Sequence, residues 1–398
     1  MTSWHAARCC ARITAESPAK TSGLQIDLTR PAWAKKVMEM EFGVLNFFEH
    51  PAGGKTEHRI FKEQADTLRA AEELGFDYIW APEHHFTEYG FCASPMLTLA
   101  AMASVTKRVR LGSAVVVLPF NDPVRVAEEG AMVDLMSDGR LDLGVGRGFQ
   151  PVEFRGFGVD QAQSHEMFDE ALQIIERAWT GETVSFTGKH FKIDEHAVRP
   201  RPIQQPHPPI WLAAVNAPSF EMAGMRGYNL LCTLVPGFHN PLTADYLQTY
   251  RTALRGGGHD AAKKQIGALC MVYCADTTEQ ARQDFGGPVL WYFRMMEKHI
   301  ASLAGKPIEG YEEYEKVRRY AHTVDWDELL QTRALVCGNP AQCVKQIEEM
   351  REQYGFTQLI CWTRLAGLDH RKVLRSMELF SRDVLPHFRR KRAVEKPA

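Results

Sequence analysis

The chain reads as a (β/α)8 barrel with insertions, and three observations carry that prediction. From Met40 onward a short apolar run is followed, repeatedly, by a helix-length amphipathic segment; strands alternating with helices build a parallel sheet with the helices outside it. Eight such units spread over roughly 350 residues suit barrel closure, since these barrels run from about 200 to more than 400 residues with insertions. A doubly wound open sheet, the structural alternative, commonly carries a Gly-x-Gly-x-x-Gly turn after its first strand, and none is present there. No stretch has the composition of an interdomain linker. One domain is therefore expected over 40–390, preceded by a flexible extension over 1–39 and followed by a basic tail over 391–398.

The elements follow in order. Glu41–Phe48 is the first strand, and the helix from Thr56 ends at Gly75, where a residue free to adopt positive φ belongs. Tyr78-Ile79-Trp80 is the second strand, and Ser94-Pro95 opens a helix to Thr106 as cap and first turn. Val109–Leu118, Leu141–Val145, Ile210–Ala214, Leu230–Val235, Ile266–Cys274 and Leu359–Thr363 complete the strands. The intervening helices are Pro123–Met136, Ser164–Trp179, Ser219–Arg226, Thr243–Leu254, a long stretch from Thr278, Pro340–Tyr354 and His370–Val384. Two segments break the rhythm. Gly181–Arg201 has the alternation of a small hairpin around Thr187-Gly188 and leads into the proline-rich run Pro200–Pro209. Residues 304–334 are charged and tyrosine-rich, without clear apolar periodicity, and suit a lid-like insertion.

Composition removes several functions. The 398 residues carry 47 basic and 49 acidic side chains, a net charge of −2, which lacks the basic excess of a nucleic-acid binder. No run approaches the ~18 apolar residues of a membrane-spanning helix, and the first 39 residues lack the apolar core of a secretory signal. Nine cysteines without a Cys-x-x-Cys pair predict reduced thiols buried as small core residues, in a cytoplasmic protein.

In a barrel the chemistry sits at the C-terminal ends of the strands, which shortens the search. The second strand runs into Glu83-His84-His85-Phe86, where an imidazole is suited to proton transfer near neutral pH. A metal site is disfavoured because adjacent residues of an extended chain point to opposite faces. The fourth strand ends in Gly144-Val145-Gly146-Arg147-Gly148: glycines allow close backbone approach, and Arg147 offers a forked donor to a phosphate. The fifth runs through Val215-Asn216-Ala217-Pro218-Ser219 into a helix whose first N–H groups suit either a plain cap or a phosphate. Each of these segments also has an ordinary structural reading, as a loop histidine, a tight turn and a helix cap.

Taken together the segments resemble the bacterial luciferase-like flavin monooxygenase family. The likeness rests on Phe42-Gly43-Val44, Gly75–Trp80, Glu83–Gly90, Gly112–Pro119, Pro123–Glu128, Met136–Arg140 and Gly146-Arg147-Gly148, and spans about Met40 to Phe388. It implies a (β/α)8 barrel that takes FMN as FMNH2 from a separate flavin reductase. Reduced flavin and O2 would then oxidise a small or medium organic substrate through a C4a-peroxyflavin. His84 matches the proton-transfer residue. Arg147, Gly148, Phe149, Val215, Asn216 and Ser219 match the surroundings of the FMN phosphate, and Ala114-Val115 matches a non-prolyl cis peptide under the flavin ring. Phe48, Phe86, Phe149 and Trp291 are expected to line the mouth and keep water out. No metal is expected, and a homodimer packed through helices early in the barrel is.

Two positions depart from luciferase itself. Gly146 stands where its light-emitting chain has a reactive cysteine, and Val215 where it has a glutamate. Both argue for a general monooxygenase rather than light emission from long-chain aldehydes. A deazaflavin-dependent hydride-transfer enzyme and a non-catalytic flavin binder are the competing readings.

Overall fold

A computed structural model describes residues 39–235, 243–300, 311–331 and 335–389. The expected extension, apart from its last residue, and the expected basic tail lie outside the described residues, as do 304–310 and 332–334 of the insertion. In chain order, β1 (Glu41–Leu45) precedes α1 (Glu57–Glu73), β2 (Tyr78–Ala81) precedes α2 (Pro95–Val105), and β3 (Arg110–Ser113) with its continuation β4 (Val116–Val117) precedes α3 (Pro123–Met136). Next come β5 (Leu141–Gly146), α4 (Pro151–Phe157), α5 (Ser164–Thr180) and the antiparallel hairpin of β6 (Val184–Thr187) and β7 (Lys192–His196). Three further units follow: β8 (Ile210–Ala213) with α6 (Ala217–Met225), β9 (Asn229–Thr233) with α7 (Thr243–Gly256), and β10 (Ile266–Cys274) with α8 (Thr278–Ile300). Helices α9 (Glu312–Thr323) and α10 (Trp326–Gln331), strand β11 (Leu335–Gly338), α11 (Pro340–Tyr354), β12 (Gln358–Trp362) and α12 (His370–Asp383) complete the order.

Strands β1, β2, β3, β5, β8, β9, β10 and β12 pair in parallel in that order, and β12 returns to β1, closing an eight-stranded barrel. The predicted fold is the observed one. Strand β11, absent from the sequence-based expectation, lies outside the ring and pairs with Met271–Cys274 at the far half of β10. Its four residues are too few for periodicity to reveal. The long strand expected over 109–118 is two pieces, β3 and β4, separated at the cis Ala114–Val115 peptide.

Side-chain size fills the barrel. Trp80, Trp211 and Trp362 are among the largest fully buried side chains. Gly43 and Gly112 flank Trp80, and a Cβ on Gly112 would stand 2.2 Å from its ring; both glycines are required by that indole. The indole N–H groups are satisfied as burial demands, Trp80 donating to Gln358 Oε1 at 3.1 Å and Trp211 to Asp142 Oδ1 at 2.8 Å.

Outer helices begin as the sequence specifies. Ser94 Oγ accepts from Leu97 N at 3.1 Å, and Asp122 Oδ1 accepts from Val124 N and Arg125 N at 3.0 Å, caps worth about 1 kcal/mol each. A buried ionic clasp joins α1 to the segment after β12: Glu63 accepts from Lys55 at 2.7 Å, from Arg59 at 2.7 Å and from Arg364. Burial acts to raise the Glu63 carboxyl, but these three donors outweigh it and hold it at about 2. All seven cysteines among the described residues are free and buried, in keeping with the expectation of core thiols.

The insertion is helical where it is described. Its buried residues Tyr311, Tyr314, Val317 and Ala321 recur every three to four positions. That is a helical period carried largely by tyrosine and alanine, which hid it among the charges.

Candidate active site

At the C-terminal end of the barrel a cavity of about 1040 Å³, counted to its open mouth, lies between two unlike walls. One wall is built of small residues from β3, β5 and β8 and the loops that follow them: Ala114, Val115, Gly146, Gly148, Ala213, Val215 and Ser219. The other is aromatic: Phe47, Tyr89, Phe149, Tyr292, Tyr314 and Trp362. His84, Glu153 and Arg147 are the other lining residues that bear ionisable side chains, together with Glu83.

The small wall is small of necessity. A Cβ on Gly144 would fall 1.9 Å from Ser113 O, and one on Gly146 would fall 2.7 Å from Val115 Cγ2. Val115 therefore fills the space beside Gly146. Gly148 has φ +78°, and a Cβ there would reach within 2.8 Å of Val117. These glycines let the end of β5 pack closely against β3, β4 and the segment between them.

His84 is buried, and its Nδ1 lies 3.0 Å from Glu153 Oε1. The same carboxylate oxygen accepts from His85 N at 2.9 Å. Gln150 Nε2 lies 3.2 Å from His84 Nδ1, while Gln150 Oε1 is buried with no partner. A carboxylate accepts only, so the ring proton shared with Glu153 sits on Nδ1, and the Gln150 amide is assigned with its oxygen toward that N–H. The imidazole then carries a lone pair on Nε2. Its ring packs between Tyr89 (4.7 Å) and Phe47 (5.3 Å). The Tyr89 hydroxyl, bonded to that of Tyr292, is driven well above its ordinary pKa by burial and stays protonated.

Glu83, first in the motif, also lines the cavity but is held by other partners. Its Oε2 accepts from Val117 N at 2.8 Å and its Oε1 from Asn121 Nδ2 at 3.0 Å, tying the motif to the chain just past the cis peptide. His85 Nε2 lies 3.2 Å from Glu83 Oε1 and its ring 4.7 Å from Phe157. The two adjacent histidines thus do different work.

Arg147 sits with its guanidinium 5.2 Å from the Tyr311 ring centroid. Tyr311 in turn donates to Gly148 O at 3.1 Å and meets Ser164 Oγ at 2.9 Å. Tyr314, one turn along α9, stacks on Phe149 at 4.9 Å with 7° between planes. The insertion therefore contributes two rings to the site.

Of the residues expected here, His84, Ala114, Val115, Arg147, Gly148, Phe149, Val215 and Ser219 line the cavity. Asn216 does not. It caps α6, its Oδ1 accepting from Ser219 N at 3.2 Å. Ser219 Oγ accepts from the N–H groups of Val215 and Asn216 at 3.3 Å each, so those donors already have a partner within the cap.

Three expected wall residues are elsewhere. Strand β1 ends at Leu45, and Phe48, at φ +61°, turns against Phe61; its neighbour Phe47 reaches the cavity. Phe86, at φ +62° and 59% exposed, lies over Gly156 on the outside of the molecule. On α8 adjacent side chains diverge by about 100°, and Tyr292 rather than Trp291 faces the cavity.

Sequence reasoning missed Glu153 altogether. It rides on α4, a helix that went unpredicted although Pro151 at its first position and an acid in its first turn are helix-start signals.

Fold and site define a class, and comparison with known proteins fixes it: the luciferase-like monooxygenase family model matches residues 40–358, and the chain belongs to that family. Among its relatives is the oxygenase component of the flavin-dependent trigonelline monooxygenase of Acinetobacter baylyi. The two are 31% identical over 245 residues, 61% of this chain and 67% of the relative. The monooxygenase RslO1 of Streptomyces bottropensis superposes with a TM-score of 0.78 at 29% identity, over 88% of this chain and all of the other. The fold is shared more widely. The FMN complex of the oxygenating constituent of a 3,6-diketocamphane monooxygenase from Pseudomonas putida has a TM-score of 0.72 at 23% identity, covering 88% of this chain and 99% of the other. A coenzyme F420-dependent reductase from Methanopyrus kandleri has 0.66 at 20%, covering 88% of this chain and 100% of the other.

Proposed function

We propose that this chain is the oxygenase of a two-component, FMNH2-dependent monooxygenase, receiving reduced flavin from a separate reductase and acting on a small or medium organic molecule. The net reaction is R–H + O2 + FMNH2 → R–OH + H2O + FMN, with the flavin supplying two electrons for oxygen activation. The observation that carries the reading is the presence, in the lining of one cavity, of Arg147 and the hydrogen-bonded pair His84–Glu153.

In this reading Arg147 binds the FMN phosphate as a forked donor, with Ser219 and the first turn of α6 beside it. The flat ring lies against the small wall formed by the end of β5 and the Ala114–Val115 segment. His84 takes or returns one proton at Nε2, and Glu153 holds the ring in that tautomer and stabilises it once protonated. The aromatic wall excludes water from the reacting atoms.

Two further parts of the reading concern assembly and place. The exposed apolar side chains Leu97 and Val105 on α2, and Met132, Leu135 and Met136 on α3, support pairing of two copies through these helices. No helix among the described residues is long and apolar enough to cross a membrane, which is compatible with a cytoplasmic enzyme.

The test is a single-turnover experiment. Protein is mixed anaerobically with FMNH2 and then with oxygenated buffer, and flavin absorbance and hydrogen peroxide release are followed. The proposal expects oxygen consumption tied to FMNH2 and delayed peroxide release relative to free flavin. Kinetics identical to free FMNH2, or activity supported by a reduced deazaflavin without oxygen uptake, would reject it.

A further inference from the structure

The two walls of the cavity ask for two different occupants. The small wall, with Arg147 at its edge, accommodates a flat phosphorylated ligand; the aromatic wall is then left to the organic substrate, and its chemistry is specific enough to read. We propose that this wall takes a neutral, planar, hydroxylated aromatic ring, a phenol-type substrate whose O–H donates to Nε2 of His84. The proposal rests on the flavin reading for the occupant of the opposite wall.

Shape comes first. Trp362 and Phe47 meet edge to face at 4.4 Å, Tyr292 meets Trp362 at 4.8 Å, and Tyr314 stacks on Phe149 at 4.9 Å. Ring faces and edges fixed in this way suit a flat aromatic guest, which gains about 0.5–1.5 kcal/mol per ring pair beyond the area it buries. A flexible alkyl chain gains the area alone and loses its rotamer freedom.

Charge comes next. Arg147 is the cation of the cavity lining and is assigned to phosphate, while Glu83 and Glu153 supply its two carboxylates. A substrate carboxylate lodged on the aromatic wall would face Glu153 across His84 with no cation left to meet it, a costly burial.

Hydrogen bonding fixes the last feature. The Trp362 indole N–H is already shared by Glu49 Oε1 and Arg364 O, both at 2.9 Å. The Tyr89 and Tyr292 hydroxyls bond each other. His84 Nδ1 is held by Glu153. The lone pair of His84 Nε2 is an acceptor that calls for a donor on the ligand. When that ligand is a phenol, transfer of its proton to Nε2 leaves an electron-rich phenolate ring and an imidazolium stabilised by Glu153, with no net change of charge.

The test uses FMN-loaded protein and four probes: 2-naphthol, 2-methoxynaphthalene, 2-naphthoate and 1-decanol, titrated calorimetrically near pH 7. The expected result is that 2-naphthol binds about tenfold more tightly than each of the other three. His84→Ala should erase the gap between 2-naphthol and its methyl ether, and Tyr292→Leu should weaken both naphthalenes several-fold. Tighter binding of decanol or of naphthoate than of 2-naphthol, or an unchanged gap in His84→Ala, would overturn the proposal. So would displacement of FMN by 2-naphthol, since the two walls would then be one site. FMN uptake is measured first and separately, by quenching of flavin fluorescence. Failure there contradicts the flavin reading, while the ranking of the probes on flavin-free protein still decides the aromatic one.

Discussion

The barrel buries charge at both ends, and the two ends use it differently. At the N-terminal foot, Arg110 meets Asp142 at 2.5 Å and Gln204 at 3.1 Å, Gln265 donates to Glu41 at 2.7 Å, and Trp211 closes on the other Asp142 oxygen. Trp80 and Trp211, both fully buried, meet edge to face at 5.1 Å beside this network. At the C-terminal mouth, His84, Glu153 and Arg147 line a cavity. A network packed against the tryptophans of the barrel interior holds a fold together; one that lines a cavity can meet a guest. The foot should therefore answer to stability measurements and the mouth to ligand and rate measurements.

The strongest way to break this comparison is His84→Ala. Loss of the proton-transfer group should lower turnover by about 10²–10⁴-fold, while chemical unfolding shifts by no more than about 1–2 kcal/mol, because Glu153 keeps its bond to His85 N. Asp142→Ala should do the reverse. It strips Arg110 and Trp211 of their acceptor, and urea unfolding should show a loss of about 3 kcal/mol, with FMN affinity of the folded protein unchanged. A smaller effect comes from Glu153→Gln, which keeps the shape of the site but removes the charge behind the imidazole. About a tenfold loss of turnover at unaltered FMN affinity is expected in steady-state assays.

The smallest effect concerns pH. Burial, then the neighbouring carboxylates Asp77 and Asp142, raise Glu41 to about 7, and burial raises Asp142 to about 6. The folded protein binds these protons more tightly than the unfolded chain does. Their contribution to stability is thus full below the ordinary carboxylate range and is lost as pH rises to about 7. Glu41→Gln should remove part of that slope and gain about 1–2 kcal/mol relative to the parent between pH 5 and 8, as read by urea unfolding at each pH. An identical slope in parent and variant would show that Glu41 is not part of the buried foot.

What the sequence reveals follows the same division. The alternation of strand and helix, the caps at Ser94 and Asp122 and the Glu-His-His segment are local patterns, and the barrel and the positions of His84 and Arg147 could be read from them. The aromatic wall could not. Whether Phe47 or Phe48, and Tyr292 or Trp291, faces the cavity depends on where β1 ends and on how α8 is rotated, and both are set by packing. Glu153 sits in a helix of seven residues that shows its Pro151 start but no periodicity. The tyrosines of α9 repeat with helical spacing, yet that helix closes on the barrel through contacts with Phe149 and Arg147, more than 150 residues earlier in the chain.

The central claim, that the mouth holds a phosphorylated flavin through Arg147, is tested most directly by titrating FMN and riboflavin into the parent protein and Arg147→Ala with flavin fluorescence as the readout. The account predicts that the substitution weakens FMN by about 10–100-fold, the worth of a charge-assisted forked bond, and leaves riboflavin nearly unchanged. Equal losses for the two flavins, or no loss for FMN, would contradict it.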